Sequence, residues 1–138
     1  MASTFMGEDV EALCVEKLSA YFGDRLDFCA TELPDWVAPD RIPPLGIYFW
    51  KAGGYTRRED KNAIEFAQIM LHAFGHRSPE VASLAQEATA VVCHPDGGRL
   101  GTGRVLAGPY SNPLPDHKYA HRVTAQIEIP VYNHLFEF

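Results

Sequence analysis

The sequence predicts an α+β domain: a mostly antiparallel sheet of about four strands, with an N-terminal helix and a central helix packed on it. Three observations predict this. Residues 117–132, HKYAHRVTAQIEIPVY, alternate with a period of two. Tyr119, Val123, Ala125, Ile127, Ile129 and Val131 fall on one side, and Ala120, Arg122, Thr124, Gln126 and Glu128 on the other. Two other stretches, 8–22 and 78–92, repeat their apolar residues at helical spacing instead. The patterns follow one another as helix, strand, strand, helix, strand, strand. A chain of 138 residues without internal repeats suits a single domain over 1–138 with one core.

The first helix, 8–22, carries Val10, Leu13, Cys14, Leu18, Tyr21 and Phe22 as its apolar stripe. Glu8, Asp9 and Glu11 occupy the first turn, where the helix dipole favours acidic groups, and Gly23 is a natural stop. Residues 33–44, LPDWVAPDRIPP, form a Pro-rich loop, because four prolines forbid a long helix or a central strand. Trp36 and Val37 lie within it, either tucked into the core or offered to a partner.

Residues 45–52 read as a strand with Leu45, Ile47 and Phe49 on one face and Tyr48 and Trp50 on the other. Both faces are apolar, so the strand is central or is covered from outside the domain. Gly53-Gly54 then marks a turn or an eased bend, and 55–62, YTRREDKN, reads as a solvated loop or hairpin tip. Residues 64–74 fit either a helix or a strand. Their Phe and Ile content, bracketed by Asn62 and Gly75, selects a strand buried on both faces.

The second helix starts at Ser78-Pro79-Glu80, with Ser78 expected to cap and Pro79 to take the first helical position. Val81, Leu84, Ala85, Ala88, Val91 and Val92 form its stripe, and His94-Pro95 ends it. A weaker, glycine-loosened strand is expected over 100–107, then a loop at 108–116 held by three prolines, then the long last strand. Pro130 lacks an N–H, which places that end of the strand at an edge or beyond the sheet. The C-terminal tail, 133–138, carries Leu135, Phe136 and Phe138.

Composition narrows the function classes. Eighteen acidic against twelve basic residues give a net charge of -6, which argues against a surface that grips phosphate. Cys14, Cys29 and Cys93 form no CxxC pair, so neither a disulfide framework nor a zinc ribbon is expected. Residues 1–9 lack a basic start and an apolar run, so no signal peptide is expected, and no apolar stretch is long enough to span a bilayer.

The chemical motifs are weak. The glycines at 98–104 lack the Lys-Ser/Thr pair of a phosphate loop and have the wrong spacing for a dinucleotide fold. His72 and His76, like His117 and His121, are four apart, a spacing that brings ligands together only on a helix. Gly75 interrupts one pair and the other lies in an extended segment. A zinc site needs a further ligand such as Cys93 or His94. No sequence context turns Cys29 or Cys93 into a nucleophile, and Glu59-Asp60 sit in a charged loop with no apolar pocket. No catalytic residue, metal or cofactor is therefore assigned, and an enzyme is not expected. Arg57, Arg58 and Lys61 alternate with Glu59 and Asp60, a mixture that suits a charge-complementary contact with another subunit.

The N-terminal amphipathic helix, the Pro-Pro-Leu-Gly-Ile-Tyr-Phe strand with Gly53-Gly54, the two-sided strand 64–74, the helix from Ser78 and the strand 119–132 together resemble a known family. It is the small tail terminator (minor capsid, head–tail joining) proteins of long-tailed bacteriophages, and the resemblance spans about 8–132. It implies a structural virion protein in the tail or neck, made in the host cytoplasm. Such a protein forms a ring, usually a hexamer, that caps the tail tube and joins it to the head connector. The implied partners are copies of itself, the tail tube protein and the connector or stopper protein, with DNA passing through the lumen unbound and no membrane involved. Trp36, Trp50, Arg57, Arg58, Lys61, Tyr132 and Phe136 are the candidate subunit-interface residues. The alternatives are a head-completion or stopper protein and a small α+β enzyme or ligand-binding domain.

Overall fold

The alternating C-terminal stretch becomes the strand around which the sheet is built. The computed structural model describes residues 4–6, 10–59, 62–95 and 99–136, with the backbone alone described at 4–6, 56–59, 62, 63 and 133–136. In chain order the elements are β1 (Thr4–Met6), α1 (Val10–Phe22), a 3-10 turn (Gly23–Arg25) and β2 (Phe28–Ala30). Then come β3 (Gly46–Glu59), β4 (Asn62–Gly75), α2 (Ser78–Cys93), β5 (Arg104–Ser111) and β6 (His121–Phe136). One sheet runs β2-β3-β4-β6, and both β5 and β1 pair with the far edge of β6. Every pairing is antiparallel except β2 with β3. The α+β class is as the sequence predicts. The four strands with a readable pattern are joined by β1 and β2, three residues each and too short to carry a period.

Both helices cover one face of the sheet. Val10, Cys14, Leu18 and Phe22 of α1 and Val81, Leu84, Ala85, Ala88 and Val92 of α2 meet Ile47, Phe49, Ala67, Ile69, Leu71, Ala125, Ile127, Ile129 and Val131. This is the predicted stripe-on-sheet packing, and it buries the apolar half of each alternation. A smaller cluster closes one end of the opposite face. There the loops at 31–45 and 112–120 bring Val37, Leu33, Leu114 and Ala120 onto Phe28, Tyr48 and Phe74.

Several local expectations are corrected. Gly53-Gly54 does not reverse the chain. β3 runs through it to Glu59 with a register shift between Lys51 and Gly53, so YTRRE is strand rather than loop. Gly54 has φ +142°, and a Cβ there would lie 2.4 Å from the Phe66 carbonyl oxygen, so only glycine fits the bend. Ser78 is the first helical residue and makes no cap. The carbonyl of Arg77 accepts the first helical bond, from Val81 at 3.0 Å, and so Arg77 is the capping residue. β5 begins at Arg104 and ends at Ser111, taking in half of the expected proline loop and leaving Leu100 as a single bridge to Val131.

Pro130 does not end its strand, which continues six residues to Phe136 with β4 alongside. The Pro130 carbonyl accepts from Gly101 N at 2.8 Å. In a strand a residue's N–H and C=O point to the same edge, so the missing donor faces the short 99–101 segment and no bond of the β4 ladder is lost. The outward face of β6 is also drier than its alternation implies: Thr124 and Glu128 are both buried. Trp36 and Val37 part company, with Val37 buried and Trp36 62% exposed.

Candidate interaction surfaces

The face of the sheet away from the helices is only partly closed. Register fixes its rows. Tyr48, His72 and Thr124 stand side by side, then Trp50, Met70 and Gln126, then the polar row of Gly53, Gln68 and Glu128, then Tyr55, Phe66 and Pro130, then Ile64 beside Tyr132. The bulge near Ala52 matters here. Without the extra residue, Tyr55 falls on the helix side; with it, Tyr55 lies beside Phe66, and the rings stack at 4.9 Å.

The loops cover the first row and stop. Trp50 is 39% exposed, Tyr55 53% and Tyr132 45%, and between them Ile64, Phe66 and Met70 are half-buried. An aromatic strip of this kind on one sheet face is apolar surface that one subunit leaves in water. Gly101 keeps it smooth at its border: a Cβ there would come within 2.9 Å of both Pro130 and Tyr132. Arg99 fixes that border by donating from Nε to the Tyr132 carbonyl at 2.6 Å, while its own carbonyl accepts from Tyr132 N at 2.8 Å.

At the closed end the polar groups serve the fold. His72 is buried, with its ring 4.8 Å from that of Tyr48 and 4.5 Å from that of Trp50. Its Nδ1 lies 2.7 Å from Thr124 Oγ1, which accepts from Asn112 Nδ2 at 3.1 Å. Burial, aided by the Arg122 guanidinium, pulls the His72 pKa down to about 4, so the ring is neutral near pH 7. Arg122 donates from Nη1 to the Tyr48 hydroxyl at 3.0 Å and from Nε to the Asn112 carbonyl at 2.7 Å, tying the 112–120 loop to the sheet. His76, four residues on, turns away and sits 3.2 Å from the Tyr119 carbonyl.

The edges of the sheet differ. β2 covers β3 only at Gly46, Ile47 and Tyr48. From Phe49 to Glu59 the outer edge of β3 pairs with no other strand among the described residues. β5, at the other edge, is short, has two register shifts and carries Pro109, features that discourage strand addition.

A third surface lies on the outer side of the helix layer. Ala20 and Tyr21 of α1 and Ala90 and Val91 of α2 line an apolar groove of about 570 Å³. Lys17 at its border donates to the His94 carbonyl. Glu87 on its rim accepts from Arg25 at 2.7 and 3.0 Å and from the Tyr21 hydroxyl at 2.7 Å. These bonds, that from Arg25 foremost, hold the Glu87 carboxyl down at about 2.

The candidate residues fall in different places. Trp50 and Tyr132 share the open sheet face. Trp36 stands apart in its loop, edge-on to Phe28 at 6.0 Å. Arg57 and Arg58 stand opposite Ile64 and Ala63 near the end of β3, and Phe136 stands opposite Thr4 at the end of β6. Lys61 lies outside the described residues. Tyr55 and Phe66 were not legible as surface residues, because the glycine pair looked like the end of a strand. Signs of chemistry are sparse. Burial pushes the Cys29 and Cys93 thiols up, which makes them poor nucleophiles. Gly103 packs on Cys93, where a Cβ would come to 2.8 Å of its Cα. Among the described residues no three His, Cys, Asp or Glu side chains are grouped to hold a metal ion. Nor is any described helix long and apolar enough to cross a membrane. No protein-family model and no curated protein matches the chain.

Proposed function

We propose that this protein is a structural subunit of a bacteriophage neck: a tail terminator that closes into a ring, caps the tail tube and receives the head connector. One observation carries the assembly part of this reading. Among the described residues, the hairpin β3–β4 carries exposed aromatic side chains on one sheet face and an eleven-residue edge of β3 that pairs with no other strand. An open edge of that length is an aggregation hazard unless a partner covers it, and strand addition is the simplest cover. The phage part rests on the order of elements: amphipathic helix, long hairpin, second helix, then the strand that centres the sheet.

The mechanism is one of contact. Lateral contacts repeat around an axis and close the ring, and the two remaining surfaces meet tube and connector. A net charge of -6 favours a lumen wall that DNA slides past without adhering. The sealed histidine and the raised thiols give no support to an enzyme.

The test is to add purified protein to headless tail tubes and image them in negative stain. A ring at one end of each tube, with tube growth stopped, supports a terminator. Rings that bind only the head connector point to a stopper, and bare, still-growing tubes contradict both.

A further inference from the structure

We propose that two copies of the free protein join their open β3 edges antiparallel, about a two-fold axis at Gly54, into one continuous sheet. The pairing rests on the self-association in the reading above and not on the tail tube.

The direction of each backbone group on β3 follows from its neighbours. The Pro130 carbonyl faces away from β4, toward Gly101. Facing residues of an antiparallel pair point both toward each other or both away, and successive residues alternate. Phe66, opposite Pro130, therefore points to β3, and Tyr55, opposite Phe66, points back to β4. The N–H and C=O of Gly54, Thr56 and Arg58 are left pointing outward. Before the bulge, the Leu45 carbonyl accepts from Asp27 N on the β2 side at 2.7 Å, and the same alternation then turns Lys51 outward. Among the described residues no strand pairs with this row. An edge lysine ordinarily guards such a row, but Lys51 is drawn across its own hairpin to Glu65 Oε2 at 2.7 Å.

A second copy fits the row in one register. Counted in rungs of the hairpin, Gly54 is the midpoint of 49–58. Pairing about it sets Lys51 opposite Thr56, Trp50 opposite Arg57 and Phe49 opposite Arg58, so no like charges face each other. Tyr55 falls opposite Gly53, an aromatic residue over a bare edge position. The added strand ends where β2 begins, at Tyr48. A slip of one rung toward the hairpin end sets Lys51 against Arg58, and a slip the other way drives Arg57 into β2. Three facing pairs, Lys51 with Thr56 twice and Gly54 with Gly54 once, exchange two hydrogen bonds each, about six in all. A standard interface holds roughly ten. The pair consumes both edges, so larger assemblies form through another surface, and the aromatic face is left free for that.

Two independent experiments test the pairing. Thr56→Pro removes an outward N–H and leaves the β4 ladder whole, whereas Thr56→Ala keeps that N–H. Each variant is checked by circular dichroism and thermal melting, and its association is measured by sedimentation equilibrium. Thr56→Pro is expected to weaken association by about tenfold or more, and Thr56→Ala to leave it nearly unchanged. Cross-linking reads the register. Trp50 and Arg57 of the two copies form a pair without hydrogen bonds, where side chains approach most closely. A 1:1 mixture of Trp50→Cys and Arg57→Cys proteins is expected to give a disulfide-linked dimer under mild oxidation. Either protein alone is expected to match the wild-type background, because neither position faces itself. A folded Thr56→Pro protein that associates like wild type overturns the inference. So does a mixture that cross-links no more than its components, which decides the matter also if Thr56→Pro fails to fold. Capping of tail tubes is scored separately. Capped tubes without the cross-linked pair defeat the pairing and leave the terminator reading standing. A cross-linked pair from a protein that ignores tubes does the reverse.

Discussion

The two faces of the sheet are made from the same strands and have opposite fates. On the helix side Ile47, Phe49, Ala67, Ile69, Leu71, Ile127 and Ile129 are all sealed beneath α1 and α2. On the other side the apolar content of β3 and β4 is nearly as high, yet beyond the Tyr48–His72–Thr124 row Trp50, Tyr55 and Tyr132 stay exposed among the described residues. The helix side accounts for the stability of the subunit. The outer side contributes little to the fold in its open half, and its apolar residues make sense as surface kept for association.

Substitution separates the two most sharply at Phe49 and Tyr55. Phe49→Ala empties a fully buried site and is expected to cost about 3–5 kcal/mol in urea unfolding. Tyr55→Ala, at a half-exposed position, is expected to cost less than about 1 kcal/mol in the dissociated subunit while weakening assembly. Equal losses in unfolding would erase the distinction.

The closed end of the outer face belongs with the core, and pH tests that. His72 titrates near 6.5 when unfolded and near 4 when folded, so the unfolded chain binds the proton first. Stability is full above pH 6.5 and falls as the pH drops toward 4, by on the order of 3 kcal/mol if the whole shift is expressed. His72→Phe is expected to flatten the stability profile over that window, and an unchanged slope would mean that another group is responsible.

Gly54 sharpens the comparison at the bulge that turns Tyr55 to the outer face. Gly54→Ala forces a Cβ onto the Phe66 carbonyl at a positive φ, at a cost of about 1–3 kcal/mol. Unlike Tyr55→Ala, it is expected to lower both melting temperature and assembly.

The smallest effect lies on the helix layer's exposed rim. Glu87 is held ionised by Arg25 and Tyr21 down to about pH 2, so its contribution is present above the ordinary carboxylate range and fades as the pH falls through 2. Solvent screens such a pair, so Glu87→Gln is expected to lower the neutral-pH melt only slightly and to flatten the acid limb by the same small amount.

How far the sequence anticipates the molecule depends on whether local spacing or distant packing decides each element. The stripes of α1 and α2 and the alternation of β6 are legible because one strong period runs through each, whereas 64–74 fits two periods and only its Phe and Ile content between Asn62 and Gly75 selects the strand β4. The end of β3 is not legible. Gly53-Gly54 has the look of a turn, and only the pairing of Tyr55 with Phe66 across the hairpin fixes it as a bulge. Pro130 misled for a related reason: its missing N–H is harmless where the neighbour is a short loop, which depends on the position of residues 99–101. Of the candidate interface, Trp50 and Tyr132 were legible from alternation. Trp36 offers only its residue type as a signal, and it lies apart from them, on Phe28.

Native mass spectrometry of the purified protein over a range of concentrations tests the central claim most directly, that the uncovered sheet face is covered by further copies. A single closed species of more than two subunits, a hexamer if the family resemblance holds, is the predicted result. A monomer at every concentration, with Tyr55 and Tyr132 still open to solvent, would contradict the account.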